Sequence, residues 1–124
     1  RVATYNVHFW RNPFGGFDGV KDYAKMMEVI KAVNADILIL QEVGGGKQAA
    51  WNDVKPEFDK MGYKHVACAS TGTQGVYKEG NLYNCIYSKL PFVGKTVEKE
   101  YATNPIVSSA NPEQRSFVGA RIQL

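Results

Sequence analysis

Four branched aliphatic residues in a row, Ile37 to Leu40, run into Gln41 and Glu42 and soon after into Gly44, Gly45 and Gly46. A run so short and apolar, closed by polar and glycine signals, suits a strand covered on both faces, although periodicity alone leaves a buried helical segment open. The preceding pattern narrows the choice. VATYNV, Val2 to Val7, has β-branched and aromatic content with Asn6 as the polar exception near its end. Between the two runs Val20, Tyr23, Ala24, Met27, Ile30 and Val33 fall at helical spacing, with Lys21, Asp22, Lys25, Glu28 and Lys31 mostly on the other face. Asp18 is a candidate N-cap for this helix and Asn34 a candidate stop. Strand, helix and strand in that order make a right-handed parallel crossover the default. Both strands then end at the same edge of the sheet, and Asn6 and Glu42 share one rim.

The rest of the chain reads as an α/β beginning followed by a more antiparallel sheet. Ala50, Trp51, Val54, Phe58 and Met61 repeat at helical spacing up to Gly62, and Pro56 predicts a kink or a split within that helix. YKHVACA and LYNCIYS read as strands, separated by the polar, glycine-rich connection STGTQGVYKEGN. FVGKTVEKEY reads as an edge strand and RSFVGARIQL as a long closing strand. Trp10, Phe14 and Phe17 line the first loop, where they anchor it to the core or border a substrate entrance.

With 124 residues there is room for one domain and a real core. Hydrophobic residues at 44% and charged residues at 22% place the chain among ordinary globular proteins rather than disordered ones. A formal net charge of +3 tolerates an anionic substrate but falls short of the footprint of a dedicated nucleic-acid binder. Cys68 and Cys85 are too few for a disulfide scaffold and lack metal-ligand spacing. They read first as two free buried thiols, with one disulfide open to them if their strands are neighbours. No apolar run approaches the roughly 20 residues of a membrane span, and no signal-like segment precedes the first strand. A start at Arg1, directly in strand-like sequence, suggests a trimmed or processed piece of a longer protein.

At the rim, Glu42 offers a carboxylate of the kind that a hard divalent cation such as Mg²⁺ takes together with water and phosphate oxygens. Asn6 offers an amide oxygen and two donors that add no charge. Each has an ordinary alternative, Glu42 as a solvated loop carboxylate and Asn6 as a cap on a backbone turn. An ideal first strand places Asn6 and His8 on one face and Tyr5 and Val7 on the other.

Four stretches, TYNVH at Thr4 to His8, ADILILQEV at Ala35 to Val43, YNCIYSKLPF at Tyr83 to Phe92 and QRSFVGARIQL at Gln114 to Leu124, resemble consecutive motifs of the endonuclease/exonuclease/phosphatase superfamily. The resemblance implies half of a four-layer α/β sandwich, one mixed sheet with two helices packed on one face. It further implies that residues 1–124 are the amino-terminal portion of a single such domain, since the histidine, Asp-x-Asn and Asp-His motifs that follow in the family do not occur in this sequence. The implied activity is Mg²⁺-dependent hydrolysis of a phosphodiester or phosphomonoester, with Mn²⁺ as an alternative cation. Glu42 matches the metal-binding glutamate and Asn6 the asparagine beside it, so the resemblance implies both as catalytic and metal-site residues, while His8, Asn84 and Arg115 fall at substrate-binding positions. Tyr83 and Lys89 depart from the glycine and arginine usual around Asn84. Implied partners are a phosphate-ester substrate, whether nucleic acid, phosphorylated small molecule or lipid, and a second copy of the chain through the exposed half-sheet. The competing expectation is a non-catalytic interaction module built on the same fold.

Overall fold

Strand β1 (Val2–Asn6) lies parallel to strand β2 (Ile37–Gly44), with Val2 opposite Ile37 and Asn6 opposite Gln41. Helix α1 (Tyr23–Val33) forms the crossover between them, as the strand–helix–strand order requires. Helix α2 (Ala49–Lys60) leads to β3 (His65–Thr73) and β4 (Asn81–Ser88), and the four strands make a mixed sheet in the order β1-β2-β4-β3. Strands β5 (Val97–Tyr101) and β6 (Arg115–Gly119) pair as an antiparallel ribbon that packs against β3 and β4. The computed structural model describes residues 1–10, 23–44, 49–73, 81–101 and 115–124. The expected cap at Asp18 and the aromatics Phe14 and Phe17 lie outside them.

Both helices cover the same face of the sheet. Met26, Met27 and Ile30 of α1 and Val54 and Phe58 of α2 form one core with Leu38, Leu40 and Val43 of β2 and Cys85 and Tyr87 of β4. Phe58 stacks on Tyr87 with ring centroids 4.5 Å apart and also meets the edge of Trp10. The Tyr63 hydroxyl donates to the Ala35 carbonyl at 2.8 Å, which satisfies the polar end of an otherwise buried ring. Asn34 ends α1 in the left-handed conformation at φ +45° and Gly62 ends α2 at φ +87°, the two stops expected from the sequence. Lys31 of α1 reaches Glu57 of α2 at 3.0 Å, and Lys60 completes the cluster.

Several expectations need correction. The buried stripe of α1 is rotated, with Met26 in the core while Ala24 and Val33 are exposed. Helix α2 is not split at Pro56 but runs continuously through it. Pro56 is exposed, so its ring sits on the outer side of the helix, while Val54 and Phe58 hold the helix to the sheet. Strand β3 extends through Thr73 into the sequence read as a connection. The closing strand is shorter than expected, ending at Gly119 before a separate bridge between Ile122 and Phe92.

The two cysteines are not free thiols. Cys68 stands directly opposite Cys85 across β3 and β4, with Cα atoms 4.1 Å apart, and the pair forms a disulfide. The reading as isolated thiols failed because two residues far apart in sequence meet only once the register of an antiparallel pair is known. The cross-link closes a sequence separation of 17 residues, for which restriction of the unfolded chain contributes about 3 kcal/mol. Urea unfolding with and without a thiol reductant should show a loss of that order on reduction. Coincident midpoints would contradict a stabilising staple.

Candidate active site

Period-two alternation puts Leu38 and Leu40 on the helix-covered face, and it would put residue 42 there as well. The chain avoids burying a glutamate among aliphatics by a β-bulge. Leu40 pairs with Cys85 and Val43 with Tyr83, so Gln41 and Glu42 together stand opposite the single residue Asn84. Alternation is thereby reset, Val43 returns to the core, and both bulged residues go to the face that carries Asn84. Glu42 adopts φ +56°, a left-handed backbone that costs a residue with a Cβ about 1–2 kcal/mol. Its side chain is half-buried and makes no hydrogen bond or ion pair with any described residue. The sequence reading ended the strand at Leu40, whereas the strand continues to Gly44 with Glu42 inside it.

Asn6 ends β1 beside this bulge. The Val7 N–H still donates to the Gln41 carbonyl at 3.0 Å, after which the chain turns. The His8 N–H donates to Asn6 Oδ1 at 2.8 Å and the Trp10 N–H to the Val7 carbonyl at 2.7 Å, forming a short 3₁₀ turn over His8–Trp10. Val7 and Trp10 drop fully into the core and anchor the turn. His8 therefore does not continue the alternation of β1, as an ideal strand would have it, but sits half-buried in the turn at φ +42°. Asn6 remains exposed with its carbonyl oxygen committed to the turn and its Nδ2 donors at the rim. Among the described non-glycine residues, positive φ occurs at His8, Trp10, Asn34 and Glu42, and three of these four surround the rim. Such backbone persists where the surrounding structure over-determines it, which is common at functional sites.

Asn84 faces the bulge from β4, but its amide works within the fold. Nδ2 donates to the Ser116 carbonyl at 3.1 Å and to the Ser116 hydroxyl at 3.2 Å, and that hydroxyl donates to the Ala69 carbonyl at 3.0 Å. This chain of bonds fastens β6 to β4 and β3. It brings the backbone of Arg115, the first residue of β6 and the partner of Tyr101, alongside Asn84. Asn6, Glu42 and Asn84 thus share one end of the sheet on neighbouring strands, with His8 in the adjoining turn.

Glu42 is compatible with a divalent cation as a single ligand: a half-buried carboxylate with no cationic or hydrogen-bonding partner among the described residues, where Mg²⁺ commonly takes one or two carboxylates plus water and phosphate. No cluster of three or more His, Cys, Asp or Glu side chains occurs among the described residues.

No protein-family model matches the chain, and no curated protein matches it. Among solved structures, the endonuclease/exonuclease/phosphatase from Beutenbergia cavernae superposes with a TM-score of 0.79 over 99% of this chain at 23% identity. The chain spans 34% of the length of that protein. The α/β fold expected from the four motifs, a mixed sheet with two helices on one face, is the fold that the chain has.

The bulge makes a test of its own. Replacing Glu42 by glycine relieves the left-handed strain, whereas a β-branched residue at the same φ aggravates it. Denaturant melts should therefore place Glu42→Gly at or above the parent chain and Glu42→Val below Glu42→Gly by about 1–2 kcal/mol. Equal stability of the two variants would argue against a left-handed residue at this position.

Proposed function

We propose that this chain is the amino-terminal portion of a Mg²⁺-dependent phosphoesterase domain that hydrolyses a phosphodiester or phosphomonoester. The observation that supports this most is Glu42 itself, set by a bulge on the rim next to Asn6 and without a partner among the described residues. Glu42 is the metal ligand in this reading. Asn6, whose Oδ1 is engaged by the His8 N–H, orients phosphate or water through Nδ2. His8 lies where the turn meets bound substrate, and Arg115 offers a guanidinium that can hold phosphate in two hydrogen bonds. Asn84 serves the site by fastening β6 and by facing the bulge. A bound Mg²⁺ supplies Lewis-acid polarisation of the phosphoryl oxygen. The general base and further acidic groups come from outside residues 1–124.

The substrate class consistent with a net charge of +3 is anionic, whether nucleic acid, phosphorylated small molecule or phospholipid. The 124-residue chain is expected to be silent toward an aryl phosphodiester, abasic DNA, sphingomyelin and an inositol polyphosphate in Mg²⁺. It should nonetheless bind Mn²⁺ weakly, with paramagnetic broadening of amide signals from the segments around Asn6 and Glu42 that Glu42→Gln abolishes. Broadening unchanged in that variant would remove Glu42 from the metal site, and turnover lost in the variant would show that the chain needs no outside base.

The exposed apolar side chains favour a second reading beside the first, an interaction module. Val2 is 64% exposed on the sheet, and Val97 and Phe117 are 55% and 51% exposed on the ribbon. These faces provide the surface for self-association. Light scattering on a dilution series should find a concentration-dependent dimer or larger species. A monomer at every concentration would rule this reading out.

A further inference from the structure

The bulge creates a difficulty along with its benefit. It sets two long polar side chains, Gln41 and Glu42, on the same face opposite one residue. A glutamine amide beside a carboxylate would donate to it and compete with a cation for its lone pairs. The observed Gln41 side chain goes the other way. Its Nε2 donates to Thr4 Oγ1 at 2.8 Å and lies 3.5 Å from the Ile39 carbonyl. Thr4 pairs with Ile39, two register positions behind the Asn6–Gln41 pair, so the amide is drawn back along the sheet and away from the rim.

We propose that Thr4 and Gln41 are a positioning pair: the Thr4 hydroxyl holds the Gln41 amide off the rim so that the Glu42 carboxylate stands there unpaired, open to a divalent cation. This rests on Glu42 as the metal ligand. The observations fit together: Thr4 is exposed on the open face of an edge strand, Gln41 is anchored to β1 by backbone and side chain, and Glu42 has no partner among the described residues. A pair that served only to tie β1 to β2 would be indifferent to which of its members is removed.

That difference provides the test. Thr4→Val keeps the shape of the side chain but releases the Gln41 amide, whereas Gln41→Met breaks the same bond and removes the competing amide altogether. Mn²⁺ titrations of the 124-residue chain, followed by paramagnetic broadening of its amide spectrum, should show a dissociation constant raised about tenfold in Thr4→Val, the scale of lost support around a metal ligand. Gln41→Met should stay near the parent value, and Thr4→Ser, which keeps the oxygen, should restore it. Equal weakening in Thr4→Val and Gln41→Met, or no weakening in Thr4→Val, overturns the positioning role while Glu42 keeps its own. Unchanged Mn²⁺ affinity in Glu42→Gln overturns the metal-ligand reading and the pair with it. Thr4 is exposed and Gln41 half-buried, and amide spectra without metal confirm that each variant retains the fold.

Discussion

A strand that buries Leu38 and Leu40 on one face must bury the residue two positions on as well, unless the count is broken. In this chain the count is broken at Gln41 and Glu42, and much else depends on that extra residue. Without it a carboxylate would enter an apolar layer made by Met26, Met27, Phe58 and Tyr87, where an unpaired charge is strongly disfavoured. With it, Val43 seals the core and Glu42 emerges on the far face beside the end of β1. The strained backbone at Glu42 is tolerated because the surroundings leave it little choice. Leu40 and Val43 are fully buried on either side, and the Gln41 carbonyl is held by the Val7 N–H.

The same logic governs the turn after β1. Val7 and Trp10 are both completely buried, so the two residues between them must bridge a short path in a tight conformation. Asn6 makes that turn by accepting from the His8 N–H. Of the readings open to Asn6, the turn cap is the one its oxygen fulfils. The residue as a whole stays exposed, and its Nδ2 makes no hydrogen bond to a described residue.

How much of this could be read in the residues differs from element to element. The parallel pairing of β1 and β2 was legible because helical spacing between two apolar runs leaves few other topologies. So were the helix ends at Asn34 and Gly62, whose residue types suit left-handed backbone. The bulge left a trace that went unread: the apolar residues of β2 step by two from Leu38 to Leu40 and then by three to Val43. No glycine marks it, since the left-handed residue is a glutamate. The turn at His8 was hidden for a similar reason, as it is built from a side-chain bond rather than from Gly or Pro. The disulfide and the Asn84–Ser116–Ala69 bonds depend on register between strands distant in sequence, which no local pattern carries.

The order β1-β2-β4-β3 gives the sheet a stiff side and a soft side. At one border β3 is covalently joined to β4 through Cys68 and Cys85 and fastened to the ribbon through Ser116. At the other, β1 is five residues long and, among the described strands, hydrogen-bonded to β2 alone. A fluctuation that peels β1 away leaves the stapled border intact, but it breaks the β1–β2 ladder and the Gln41–Thr4 bond and draws on the buried Val7 and Trp10, so burial more than pairing holds this border. Asn6 travels with that strand while Glu42 stays behind. The two rim residues thus stay together by the burial of Val7 and Trp10 rather than by the covalent staple, which lies at the other border of the sheet.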